Sequence, residues 1–521
     1  MNGEGPVLLL GMDATEITLV EAMLEEGELP ALAALRSRGV WGGVRTRPEG
    51  FLSMVWPTFF TGRPLGDHGW YFNKLWNPER QRLEYASTDW LPLRPFYQDL
   101  DPGCRVALLD IPFMSPPAHA INGVFLNGWQ AHDDFGQHSF PADLWADLRR
   151  RFGPPAMKPE IFGAQTVGTL LRQRLEGIES LEQFGGVCRH VLGRESWDLL
   201  VAVFGGAHRA THYLWSLEEV DAAGAEPGDV ARLEGATREL YRCWDRVLGE
   251  IVSAAPPQTR ILVFALHGMG PNRGWAEYFG RMVAHVHGRG RDAPPKEGLV
   301  YRLKKSLPWP LVRQLTRRLP SSVNHALVPL WSRRMLDWSR TRFFALPVDL
   351  NGYLRINLRG RDAEGNVEPG AEYDALIDEL TDAFASFRDL ATGQPIVATI
   401  DRVDELVGPD APRRWMLPDL VVRWTDARAH GSPGVRTMYG ELRWGADHRL
   451  PSGRSGNHLA RGWYAAAGPG IPAATDPDVR DTVDLMPTAF HWLGADPPAH
   501  FAGSPIPILT GEGAEDSVRS G

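Results

Sequence analysis

Seven short apolar runs, each running into Gly, Asp, Pro or Trp, punctuate the chain: "PVLLLGMDA", "CRVALLDIP", "GVFLNGW", "WDLLVAVFGG", "TRILVFALHG", "PDLVVRW" and "GWYAAAGPG". Several are apolar at consecutive positions without alternation, the pattern of strands covered on both faces of a sheet. Between them lie stretches such as "TEITLVEAMLEEGELPALAALRSRG" and "DVARLEGATRELYRCWDRVLGEIVSA", with apolar residues at the three and four spacing of amphipathic helices. Strands alternating with helices predict an α/β fold with a mostly parallel central sheet flanked by helices. In such a sheet, ligands bind beyond the carboxyl ends of the strands. That rule singles out the residues just after each run: Asp13, the segment Gly206 to His212, and His267.

Between about Val286 and Ile400 the pattern changes. A basic stretch, "YRLKKSLPWPLVRQLTRRLPSS", precedes "GYLRINLRGRDAEGNVEPG", which alternates and turns like a hairpin, and then a helical "EYDALIDELTDAFASF". Strand-like runs resume at "PDLVVRW". The expected organisation is a discontinuous core of residues 5–285 and 401–510, an insertion or cap at 286–400, and a flexible tail at 511–521. The basic stretch reads as a solvated helix face, with a docking surface for an acidic partner as the alternative.

A chain of 521 residues with 43% hydrophobic content can bury one large core or two ordinary ones. Its net charge of -9 offers no general attraction to nucleic acid or anionic lipid, so an anionic substrate must be met by local positive charge or metal. Three widely spaced cysteines, Cys104, Cys188 and Cys243, exclude a disulfide framework and a cysteine-based zinc motif. Metal ligands would have to be His and Asp. The apolar run Val7 to Leu10 is too short for a signal or membrane segment and lacks a basic lead, so a cytoplasmic location is expected, with neither membrane nor nucleic acid as partner.

In "GGAHRATHYLW", His208 and His212 stand at i and i+4. If a helix starts at the turn, both imidazoles project from one face, as a shared metal requires. Asp13 ends the first run, where a carboxylate is costly unless it meets a cation; the alternative is a plain helix N-cap. His458, in the glycine-rich "PSGRSGNHLARGW", reads as a loop histidine, or in company with the others as a third imidazole. In "GFLSMVWPTFFTGRPLGDHGW", Ser53 leads into a helix-like run, where N–H groups stabilise an anion; that suits a nucleophile attacking phosphorus, with an N-cap serine as the alternative.

Taken in order, "GMDA", "TGRPLGDHG", a strand followed by a D-x-x-x-H type helix, a strand followed by a D-H-G type turn, and a late G-x-H loop before "GPGI" resemble the alkaline phosphatase superfamily, in its type I phosphodiesterase and nucleotide pyrophosphatase branch. "PTAFHWLG" and "FAGSPI" also look like that family's closing helix and final loop. The resemblance implies an alkaline-phosphatase-like α/β sandwich with two metal ions, usually zinc, and a hydroxyl or modified Cys nucleophile between them. It implies Asp13 and His267 on the nucleophile-side metal and His212 and His458 on the other. Two positions depart from the pattern around the metals: Leu266 replaces the aspartate of D-H-G, and His208 stands where the family usually has Asp. The expected nucleophile position falls on Leu52, one residue before Ser53, and the next hydroxyl, Thr58, would lie inside a helix. With two carboxylates gone, the nitrogen-rich site should favour zinc or another late transition metal, one or two ions.

The resemblance therefore implies a metal-dependent hydrolase of small phosphorylated substrates, of phosphodiester or phosphonate type, acting through a phosphoryl-enzyme on Ser53. Two alternatives stand beside it: a mononuclear three-histidine hydrolase with direct attack by water, and a degenerate protein that binds metal or phospholigand without turnover. Arg209 is a candidate phosphate contact, and Trp129, His132 and Asp133 of "LNGWQAHDD" are candidate pocket walls.

Overall fold

The computed structural model describes residues 5–511 except 87–89, 131–135, 159, 161, 222–224, 290–327, 330–331, 334, 349 and 445–448. His132 and Asp133, the basic stretch 301–322, and the tail beyond Gly511 lie outside the described residues.

Two compact units emerge, and each contains more than one segment. The first comprises residues 1–64, 92–272 and 453–521. Its longer strands are β1 (Val7–Met12), β2 (Val40–Arg45), β3 (Val106–Leu109), β4 (Gly123–Asn127), β5 (His138–Phe140), β6 (Leu199–Phe204), β7 (Arg260–Ala265), β8 (Gly268–Pro271), β9 (Gly456–Leu459), β10 (Arg461–Ala467) and β11 (Ala474–Asp481). Nine of these form one mostly parallel sheet in the order β11-β2-β10-β7-β1-β6-β3-β4-β5. β1 lies between β7 and β6, parallel to both, with Gly11 opposite Phe264 and Met12 opposite Phe204. β8 and β9 form a separate antiparallel pair in which Met269 faces His458.

All six residues of β1 and of β6 are buried, as their unbroken apolar runs require for strands covered on both faces. The helices that cover them include α1 (Ile17–Glu25), α2 (Pro30–Ser37), α3 (Val55–Thr61), α4 (Val167–Leu192), α5 (Gly206–Leu214) and α6 (Ala236–Ala254). Residues 15–39, which read as one helical stretch, make two helices because Gly27 takes a left-handed φ of 74° and Pro30 opens the second. Among the described residues, no helix is long and apolar enough to cross a membrane.

The second unit comprises residues 65–91 and 273–452, which is wider than the expected 286–400. "PDLVVRW" accounts for the extension beyond residue 400. Its strand Leu420–Trp424 does not return to the large sheet; it pairs antiparallel with Gly352–Ile356 and Val397–Arg402 in a four-stranded sheet whose other edge is Phe343–Leu346. Gly352–Ile356 pairs with strands on either side, and the chain after it turns back on itself, with Val367 N donating to the Asn357 carbonyl at 3.1 Å and Arg359 N to the Val367 carbonyl at 2.9 Å. Helix Ala371–Ala385 covers "EYDALIDELTDAFASF" nearly as expected, and its Leu376, Ile377 and Leu380 join the core of this unit.

Candidate metal centre

Three neighbouring parallel strands, β7, β1 and β6, end at one edge of the large sheet, and a candidate side chain follows each. Asp13 comes directly after β1, and its N–H donates to the Phe204 carbonyl at 3.2 Å. The N-cap of α1 is Glu16, whose side chain accepts from Leu19 N at 2.8 Å; Asp13 is therefore not the cap. Its carboxylate is buried and turns to other partners. Trp56 Nε1 donates to Oδ1 at 3.0 Å, His208 Nδ1 donates to Oδ2 at 2.6 Å, and His267 Nε2 lies 3.5 Å from Oδ1.

The turn after β6 starts α5, and every residue of that helix is buried. Gly205, just before it, donates its N–H to Gln130 Oε1 at 3.1 Å, and Gln130 Nε2 donates to the Ser180 carbonyl at 2.8 Å. These bonds fix where the helix begins, and hence where His208 and His212 point. His458 lies on β9, a strand and not the loop its glycine- and serine-rich surroundings suggest. His267 bridges β7 and β8.

His208, His212 and His458 converge, with one potential ligand atom from each within 4.8 Å of the others. His208 Nε2 is 3.0 Å from His212 Nε2 and 2.9 Å from His458 Nε2. The outer nitrogens decide the tautomers. His212 Nδ1 lies 3.0 Å from the Gly456 carbonyl, which can only accept, so its proton is on Nδ1. The Asp13 carboxylate likewise places the His208 proton on Nδ1. Two Nε2 lone pairs therefore face each other, an arrangement that repels unless a cation sits between them. Three buried imidazole donors, two of them with oriented outer nitrogens, are what a late transition metal takes from protein, so these residues fit the ion that the family resemblance implies.

Charge reinforces the fit. Burial, with Arg454 and the neighbouring imidazoles, pushes His212 well below the ordinary histidine value. Burial, with His267 and His208, does the same to His458, against the pull of Asp13. Both rings thus resist protons and keep their lone pairs. Burial opposes the charge on Asp13, yet His208 and His267 together outweigh it and hold the carboxyl well below the usual range. His458 Nδ1 has no hydrogen-bond partner among the described residues.

The remaining candidates fall in different places. Ser53 is half-buried in a single 3-10 turn, Leu52–Met54, which runs into α3 and lies beside β9; Thr58 is buried within α3. Arg209 is buried on α5 and donates from Nη2 to the Lys158 carbonyl at 2.5 Å. Burial pulls its guanidinium below the ordinary arginine value, and its Nε has no hydrogen-bond partner among the described residues. Trp129 is buried in the core, where its indole donates to Gln183 at 3.0 Å and packs against Trp145.

Sequence reasoning missed Trp56, Gln130 and Gly456. Only Gly456 left a signal, as a glycine two residues before a candidate ligand. A Cβ there would stand 2.5 Å from the Thr211 carbonyl oxygen and 2.9 Å from Trp215 Cβ, so only glycine lets β9 approach α5 closely enough for its carbonyl to hold His212. Gly456→Ala is expected to weaken metal affinity about 10- to 100-fold, the usual cost of losing an outer-shell partner. Competition with a chromogenic chelator measures this, and unchanged affinity in the folded variant would refute the role assigned to the carbonyl.

A family profile described as type I phosphodiesterase / nucleotide pyrophosphatase matches residues 7–422. No curated protein sequence matches the chain. Among solved structures, the chain is similar to phosphonoacetate hydrolase from Sinorhizobium meliloti 1021 in complex with phosphonoformate, at 14% identity over 95% of this chain and 96% of that one, with a TM-score of 0.47. It is also similar to murine ectonucleotide pyrophosphatase / phosphodiesterase 5 in complex with AMP, at 12% identity over 96% and 98% of the two chains, with a TM-score of 0.47.

Proposed function

The chain belongs to the type I phosphodiesterase / nucleotide pyrophosphatase family, and from that premise we propose that it is a metal-dependent hydrolase of small phosphate esters, of phosphodiester or phosphonate type. One observation carries the metal part of the reading: two buried imidazoles whose outer nitrogens are tied to acceptors present facing Nε2 lone pairs, with a third ring beside them. His208, His212 and His458 would hold the ion, with zinc the best match to three nitrogen donors. When bound, it supplies Lewis-acid polarisation of a phosphoryl oxygen.

The chain's own residues supply the rest. Asp13 and the Gly456 carbonyl orient two of the rings, while burial keeps competing protons off His212 and His458. Ser53 is the proposed nucleophile. Attack of its Oγ on phosphorus would form a phosphoserine ester as the bond to the leaving alcohol breaks and the alcohol departs with a proton; water then cleaves that ester and restores the hydroxyl. The cytoplasmic assignment belongs to this reading and is supported by three buried cysteines that carry free thiols.

Ser53→Ala is the direct test. Turnover of bis(p-nitrophenyl) phosphate is expected to fall to background while metal content stays at the wild-type value. Activity surviving the substitution would instead favour direct attack by water at the three-histidine site. Bound metal without turnover of any phosphate, phosphonate or sulfate ester would point to a binding protein.

A further inference from the structure

We propose that the chain holds a single metal ion where its family's pattern has two, and that Asp13 is a positioning residue for His208 and not a metal ligand. The inference rests on the reading of His208, His212 and His458 as a metal site.

The family resemblance places a carboxylate where His208 stands. A carboxylate can spend itself entirely on the ion, but an imidazole has a second nitrogen whose N–H needs an acceptor when buried. Asp13 supplies it: Oδ2 accepts from His208 Nδ1 at 2.6 Å, the carboxylate–histidine pairing that orients a ligand ring and raises its basicity. Trp56 Nε1 donates to Oδ1 at 3.0 Å, so the other side of the carboxylate faces the positive end of an N–H bond. Gly11 makes that approach possible, since a Cβ on it would lie 2.8 Å from the Trp56 ring.

Leu266 completes the change. The acid that would share a second ion is replaced by a buried leucine, 1% exposed. A cation beside Asp13 would find His267, 3.5 Å away, and one carboxylate already bonded on both oxygens. Adding the Ser53 hydroxyl would still set one formal negative charge against two positive ones. The residues therefore do not fit a second ion, and His208 and Leu266 are two halves of one substitution: the first draws Asp13 into an orienting role, and the second removes the donor that would have kept a metal there.

The test is metal stoichiometry, measured by elemental analysis after zinc saturation and desalting of the full chain. One ion per chain is expected in the wild type. Asp13→Asn, whose carboxamide oxygen still accepts from His208 Nδ1 but whose NH2 then faces the Trp56 N–H, should also hold one ion, with affinity between those of the wild type and Asp13→Ala; Asp13→Ala should hold one ion about 10- to 100-fold more weakly. The visible absorption of the cobalt-substituted protein should keep its band intensity in Asp13→Asn, because the ligand set is the same. Two ions per chain in the wild type, falling to one in Asp13→Asn, would overturn the proposal while leaving the three-histidine site standing. No bound ion in the wild type would overturn both together. The wild-type count decides the number of ions even if a variant fails to fold.

Discussion

Substituting His212 by alanine is expected to leave the protein folded, free of metal and inactive. His212 contributes one of three converging nitrogens, and its ring is fixed from behind by the Gly456 carbonyl. Outer-shell partners alone are worth about 10- to 100-fold in metal affinity, so losing a ligand should cost at least about 100-fold, with turnover falling in step. The stability signature is more telling. In the metal-free wild type the His208 and His212 lone pairs face each other at 3.0 Å; a bound ion relieves that repulsion and stabilises the fold by mass action, about 4 kcal/mol when present at a thousand times its dissociation constant. Zinc should therefore raise the melting temperature of the wild type, and a chelator should lower it, whereas His212→Ala should respond to neither. A variant that retains full metal content and turnover would sink the assignment of this ring as a ligand.

The residues that could be read from the sequence and those that could not differ in kind. His208 and His212 were legible because helical spacing alone puts positions four apart on one face, and the apolar run before them placed that helix at a strand end. His267 and Asp13 were legible by the same strand-end rule, although the sequence left Asp13 divided between capping and charge; only Glu16 taking the cap resolves it. His458 was legible as a candidate but not as a strand residue. β9 is built from a stretch that reads as a loop, and it becomes a strand by pairing with β8 some 190 positions earlier in the chain. No local propensity carries that information.

The architecture divides in the same way. Consecutive apolar runs announced β1, β3, β4, β6 and β7 as buried strands, because coverage on both faces leaves no room for alternation. The run in Leu420–Trp424 has the same character yet belongs to the other unit's sheet, since burial on both faces says nothing about which sheet provides it. Trp56 and Gly456 act through one indole N–H and one missing Cβ. Both residue types occur for many reasons, so their roles appear only when the partner is in place.

In the second unit, Asp419→Ala should be among the most damaging single changes. Asp419 is buried just before strand Leu420–Trp424 and accepts from Ile356 N at 2.6 Å, from Arg361 Nη1 and Nη2 at 2.6 and 2.8 Å, from Arg414 Nη2 at 3.1 Å and from Tyr373 OH at 3.0 Å. The network continues through Asp362, which accepts from Arg361 Nε at 3.0 Å and from the fully buried Arg355 at 2.9 Å. Removing one partner of such a group leaves buried cations uncompensated, which typically costs about 3–5 kcal/mol. Burial opposes the charge on Asp419, but Arg361, Arg414 and Arg355 more than offset it and hold the carboxyl far below its ordinary value. A depressed carboxyl contributes stability that is complete above the unfolded value of about 3.9 and is lost as pH falls through the folded one. Denaturant titrations should therefore show Asp419→Asn less stable than the wild type by a constant margin near neutrality, with the margin shrinking below about pH 4. A margin that stayed flat into acid would mean that Asp419 contributes shape to this unit and not charge.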